Sequence, residues 1–162
     1  MLHTGIDLHK RTLVVNTVDG EGVVVRTGTL PTTPAAVRTY FRALGPDQRA
    51  VVESKASWYW LADVFHAEGI ALSLAHAKYV KAISYAKVKT DAVDAATLAQ
   101  LLRGNLIPEA HMVSPELREV RDLLRQRLVL VAKRTLCRNA VRGLLMQYNV
   151  EAPTALPELP AL

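Results

Sequence analysis

With 162 residues, half of them hydrophobic, the chain has room for one ordinary domain and an appendage, which excludes wholesale disorder. A formal charge of +5 and a sequence pI of about 9.6 favour a polyanionic partner. No apolar run approaches the roughly 18 residues of a membrane helix, the one cysteine, Cys137, excludes an intrachain disulfide, and the N-terminus lacks signal-peptide anatomy, so a cytoplasmic location without a membrane is expected.

Residues 3–8 read as a short strand, 11–18 as a β-branched strand, and Asp19-Gly20-Glu21-Gly22 as the turn into a third strand over 23–30, an antiparallel meander. Thr33-Pro34 starts a helix, Val37, Tyr40, Phe41 and Leu44 recur at helical spacing, and Gly45-Pro46 stops it. Residues 49–53 form a compact apolar strand, 58–68 a second helix ended by Gly69, and 70–74 a fifth strand. Residues 77–103 are largely helical, with a break near Lys87-Val88-Lys89 and a fresh helix from Thr90 that Gly104 closes. Ser114-Pro115 opens a last helix to about Gln147. In it Leu117, Val120, Leu124, Leu128 and Val131 follow at spacings of three or four, a coiled-coil-like stripe. Ala152 to Leu162 reads as a linker. Strands alternating with helices after the meander predict an α/β fold with parallel pairing there.

Four carboxylates stand at informative places. Asp7 and Glu53 end buried strands, where an ionised group is costly unless compensated. Asp91 and Asp94, three apart, share one side of a helix's first turn. Oxygen ligands of this kind suit Mg²⁺, and paired ions are a common device for phosphodiester chemistry. Each acid also has a plain reading. Asp7 could be a strand-end residue, Glu53 could cap the next helix or pair with Lys55, and Asp91 and Asp94 are favoured by the helix dipole. In combination they match a ribonuclease-H-like fold, whose first and fourth strands are central neighbours.

The segments Gly5-Ile6-Asp7-Leu8-His9-Lys10, Val52-Glu53 with Trp58-Tyr59-Trp60-Leu61, Lys89-Thr90-Asp91-Ala92-Val93-Asp94-Ala95 and Leu98 to Arg103 resemble the DEDD (RuvC-like) transposases of insertion sequences, recombinases guided by a bridge RNA. The resemblance runs from about residue 4 to 148, and Lys-Thr-Asp-x-x-Asp-Ala is its most specific block. It implies a five-stranded mixed sheet with flanking helices and a long coiled-coil-like helix. It also implies Asp7, Glu53, Asp91 and Asp94 as catalytic metal ligands for Mg²⁺ (Mn²⁺ substituting), DNA and a guide RNA as partners, and a homo-oligomer through the long helix. Relatives continue into a domain carrying a nucleophilic serine. Since Ser54, Ser57, Ser73, Ser84 and Ser114 match no such motif, residues 1–162 alone are not expected to complete strand exchange. The expected organisation is a metal-binding domain over 1–111, a basic helix over 112–149 and a tail over 150–162.

Two basic stretches suit a nucleic-acid backbone. Leu123 to Val150 contains no acid but carries Arg125, Arg127, Lys133, Arg134, Arg138 and Arg142. Lys78, Lys81, Lys87 and Lys89 interleave with Tyr79 and Tyr85. Solvated helix faces are the plain alternative for both. Trp58, Tyr59 and Trp60 read as core and core edge. The histidines form no metal-binding spacing, and none is assigned as a ligand; His9 faces either the site or solvent. Three rivals to the transposase reading are a self-sufficient RuvC-like nuclease, a non-catalytic RNA-binding and dimerisation module, and an actin-like phosphotransferase. The last is disfavoured because no glycine-rich phosphate loop follows Gly5-Ile6-Asp7.

Overall fold

A computed structural model describes residues 1–55, 57–83 and 90–151. The chain divides into two compact units, Met1–Met112 and Val113–Leu162.

In the first unit, β1 (Leu2–Leu8), β2 (Thr12–Val18) and β3 (Val24–Pro31) form the meander. After α1 (Pro34–Arg42), β4 (Gln48–Glu53), α2 (Tyr59–Ala67) and β5 (Ala71–Ala75) come α3 (Ala77–Ile83) and α4 (Asp91–Arg103). The sheet order is β3-β2-β1-β4-β5. The β3-β2-β1 pairings are antiparallel, whereas β1-β4 and β4-β5 are parallel. This is the ribonuclease-H-like, RuvC-like arrangement, with β1 at the centre.

Local chemistry sets the boundaries. The Thr33 hydroxyl accepts from the Ala36 N–H with Pro34 next in line, and the Thr90 hydroxyl accepts from the Val93 N–H. Asp19 Oδ1 accepts from the Glu21 and Val23 N–H groups to shape the β2-β3 turn. At the end of α4 the left-handed residue is Asn105 (φ 54°), one beyond the expected Gly104. The expected break at Lys87-Val88-Lys89 and the tail from Ala152 lie outside the described residues.

Strand alternation separates two cores. Ile6, Leu8, Leu13, Val15, Val52 and Leu74 pack with Val37, Phe41, Leu61 and Phe65 on the α1–α2 side. Trp58 is buried in that cluster, with Tyr59 and Trp60 partly buried against it. On the other side Val51 and Ala75 pack with Val80, Leu98 and Leu102 beneath α3 and α4. The face that α4 covers therefore carries Gly5 and Val51, and with them, two residues on, Asp7 and Glu53.

The second unit is dominated by α5 (Pro115–Gln147), 33 residues long and so about 50 Å at 1.5 Å per residue. It buries none of its residues. Leu117, Val120, Leu124 and Leu128 of the expected stripe are all more than half exposed.

Candidate metal centre

The centre is built where α4 crosses the carboxyl ends of β1 and β4. Gly5 makes the crossing possible. A Cβ on it would lie 2.0 Å from the Ala95 carbonyl oxygen and 2.5 Å from the Ala99 nitrogen, so helix backbone rests directly on strand backbone. At the far end Arg49 Nη2 donates to the Leu102 carbonyl at 2.8 Å, and Gln100 Nε2 donates to the Gly22 carbonyl at 2.8 Å. Pinned there and at Gly5, α4 presents its N-terminal turn, with Asp91, to the end of β1.

Asp7 is the buried member, its side chain only 2% exposed. Its two oxygens face two basic nitrogens. Oδ1 accepts from Lys55 Nζ at 2.5 Å, and Oδ2 lies 2.9 Å from His9 Nε2. The same Lys55 nitrogen reaches Glu53 Oε2 at 3.2 Å, and the same His9 nitrogen reaches Asp91 Oδ2 at 3.3 Å. A continuous series results, Glu53–Lys55–Asp7–His9–Asp91, in which cationic or potentially cationic groups sit between carboxylates from three separate elements. Glu53 lies one step beyond Val52, which pairs with Ile6, so the parallel register sets it beside Asp7 on the α4 face.

Burial of the Lys55 ammonium pushes its pKa down, but the hydrogen bond and charge of Asp7, and then those of Glu53, outweigh burial and hold it above the ordinary lysine value. The lysine therefore remains charged at neutral pH.

Among the described residues, ligand-type atoms of Asp7, His9 and Asp91 all lie within 4.8 Å of one another. Glu53 joins through the lysine. Asp94, half-buried one turn further along α4, falls outside that group. The donor set fits a divalent cation: carboxylates from β1 and α4 and one imidazole converge, with the Glu53 carboxylate close by across Lys55, so negative charge exceeds positive at the centre. His9 and Lys55 are the members that motif spacing did not single out as site residues. Each stands two residues after its acid, in the turn just beyond the strand end, and that proximity in sequence is the signal that points to them.

The nucleic-acid candidates are placed in part. Lys78 and Lys81 are exposed on α3, with the Tyr79 ring between them tilted against His76, centroids 4.4 Å apart. Lys87 and Lys89 lie outside the described residues. Arg125, Arg127, Lys133, Arg134, Arg138 and Arg142 are all exposed on α5. Among the described residues no helix is long and apolar enough to cross a membrane.

No curated protein matches the sequence. Among solved structures the chain is similar in fold to Thermus thermophilus RuvC. The RuvC structure in complex with a Holliday junction substrate is 15% identical, with 68% of this chain and 99% of that chain covered and a TM-score of 0.48. Another Thermus thermophilus RuvC structure is likewise 15% identical, over 68% of this chain and 100% of that one, at a TM-score of 0.46. The family profile described as Transposase, that of the IS110-type DEDD proteins, matches residues 4–150. With nearly the whole length matched, this chain belongs to the DEDD transposase family.

Proposed function

We propose that the domain is the metal-binding part of a transposase that, with its serine-bearing domain, carries out Mg²⁺-dependent cleavage and strand exchange of DNA, with Asp7, Glu53, Asp91 and Asp94 as the metal ligands. The observation that carries this reading is the convergence of Asp7, Glu53 and Asp91 on shared basic nitrogens. Bound there, Mg²⁺ would polarise the scissile phosphate and favour a deprotonated attacking oxygen. The protein's own groups divide the remaining work. Asp7, locked in the central strand, sets the position of the site. Glu53 supports it from the neighbouring strand, and Asp91 and Asp94 approach from the first turn of α4. His9 orients the Asp7 carboxylate through Oδ2.

Lys78 and Lys81 would neutralise backbone phosphates, and the exposed Tyr79 ring offers a stacking surface. The basic run of α5 would track DNA or a guide RNA. Its exposed stripe would pair with a second copy, giving a homo-oligomer. The attacking oxygen is assigned to a serine outside residues 1–162, as the family resemblance implies.

One rival draws on the Lys55 contact. If the acids were only salt-bridge partners, the chain would be an RNA-binding and dimerisation module without catalysis. Thermal melts in EDTA, Mg²⁺ and Mn²⁺ separate the two readings. A cation that binds only the folded state raises stability by about 2.7 kcal/mol at a hundredfold excess over Kd. Wild type should show such a rise and Asp7→Asn should lose it. Equal melting of both proteins in all three conditions would sink the metal reading. Labelled DNA incubated with Mn²⁺ and run on a denaturing gel tests the nucleophile. A covalent adduct with residues 1–162 would point to one of their own serines, and free ends would favour a self-sufficient nuclease.

A further inference from the structure

Among the described residues at the centre, Lys55 is the group whose position conflicts with a divalent ion held by Asp7 and Glu53. Its Nζ lies 2.5 Å from Asp7 Oδ1 and 3.2 Å from Glu53 Oε2, so it fills the space between two carboxylates that would help to hold a cation. An ammonium has three donors, no lone pair and a full positive charge, so it can neither ligate a metal nor tolerate one against it. His9 is different in kind. An imidazole between Asp7 and Asp91 can become a ligand through Nε2 once that nitrogen gives up the proton it shares with the carboxylates.

The backbone around Lys55 suits a side chain that changes place. The Ser54 N–H donates to the Ala75 carbonyl at 2.8 Å, and the Lys55 N–H donates to the Glu53 carbonyl at 2.7 Å. The root of the side chain is thus fastened to the rim of the sheet. The flexible stem above it is 37% exposed, so solvent is open to the displaced ammonium.

We propose that Lys55 is a built-in counter-ion that holds Asp7 and Glu53 together in the metal-free protein and must leave them for a divalent cation to bind. The inference rests on the reading of Asp7 and Glu53 as metal ligands. It makes Lys55 a positioning residue that sets metal affinity. Without metal it screens the repulsion between the buried Asp7 and its neighbour. Once displaced, it stays tethered at the rim and adds positive charge beside the place where a phosphate would arrive.

The test is Mn²⁺ binding to the 162-residue chain, followed by the electron paramagnetic resonance of the free ion, in wild type, Lys55→Met, Lys55→Arg and Asp7→Asn. Circular dichroism checks the fold of each variant. Removing the competing charge should tighten Mn²⁺ binding about tenfold in Lys55→Met, the equivalent of one pKa unit of interaction. Lys55→Arg should stay near wild type, and Asp7→Asn should abolish the site. A second readout uses the wild-type protein alone: reductive methylation of Lys55, mapped by mass spectrometry, should be slow in EDTA and faster in saturating Mn²⁺. A lysine with a merely structural role would show neither effect. Asp7-dependent Mn²⁺ binding that is unchanged or weaker in a folded Lys55→Met overturns the counter-ion role. So does methylation that ignores the metal, which also decides the matter if Lys55→Met does not fold. Absence of Asp7-dependent binding in wild type and Lys55→Met alike overturns the metal reading itself, and the inference with it.

Discussion

Adding one methyl group at Gly5 is expected to destabilise the domain by about 3 kcal/mol, the upper end of ordinary overpacking. The new Cβ would meet the Ala95 carbonyl oxygen at 2.0 Å, the Ala99 nitrogen at 2.5 Å and the Leu98 Cβ at 2.9 Å. Non-bonded carbon atoms settle at about 3.5–4.0 Å, so α4 would have to retreat by more than about 1 Å. Two of the three obstacles are main-chain atoms of a helix, which no rotamer change can move aside. With a urea m-value of about 1.5 kcal/mol/M, the midpoint should fall by about 2 M. Gly20→Ala is the control. Its Cβ would meet nothing within 4 Å, so a change within about 0.5 kcal/mol is expected. Because α4 delivers Asp91, the Gly5→Ala protein that still folds should also bind Mn²⁺ more weakly. Equilibrium urea unfolding that leaves Gly5→Ala within about 1 kcal/mol of wild type, at an unchanged m-value, would refute the close crossing.

Other perturbations address other parts. Replacing Arg134, Arg138 and Arg142 with Gln should weaken nonspecific DNA binding and flatten its salt dependence, by about 0.9 in log–log slope for each phosphate that is no longer neutralised; an unchanged slope rules out α5 as a phosphate-tracking helix. Leu124→Ala with Leu128→Ala should loosen self-association in sedimentation equilibrium, and a monomeric wild type at high concentration would dismiss the seam. Burial, and then the charge of Arg49, hold the His3 pKa below its ordinary value. The unfolded chain therefore takes up the proton first, so the penalty is absent above about pH 6.5 and grows as pH falls towards the folded value. His3→Leu should accordingly lose less stability than wild type between about pH 7.5 and 5.5 in urea titrations, and parallel losses would contradict this. The double variant Asp7→Leu/Lys55→Leu should match or exceed wild-type stability in EDTA yet gain nothing from Mn²⁺. A double variant still stabilised by Mn²⁺ would place the metal elsewhere.

Much of the fold was legible because its signals are local. Thr33-Pro34 and Thr90 announce helix starts through groups within three residues of the cap, and Asp19 with Gly22 sets the hairpin turn. The meeting of Asp7 and Glu53 was legible at one remove, once β1 and β4 were taken as neighbours. What spacing did not reveal depends on turns and on pinning. His9 and Lys55 reach the centre because the chain turns just after each acid and brings the side chain two residues on back towards it, whereas a search for paired histidines looks for ligands within one element. Asp91 and Asp94 look equivalent in sequence, yet Gly5 fixes how far α4 descends, and at that depth the first residue of the helix faces Asp7 while the fourth sits a turn away. The stripe on α5 states that a surface is apolar. Periodicity carries no information about what covers it.

A folding-only sequence would not place an ionised group where Asp7 stands. Its side chain is almost wholly enclosed at the end of the central strand, and desolvating such a carboxylate costs several kcal/mol even after relaxation. Lys55 offsets part of that cost, but it too is half-buried, so the pair undergoes two desolvations for one contact. Apolar residues of similar volume would serve stability as well or better. Glu53 adds a second carboxylate against the same ammonium, which leaves more negative than positive charge among the three. The shortfall grows with Asp91, whose partner in the network is an imidazole. The fold thus holds a deficit of positive charge at one point while its most buried member stays in place. A divalent cation would remove the deficit at a stroke, and Lys55, as the proposed counter-ion, would stand in for it in the intervals without one.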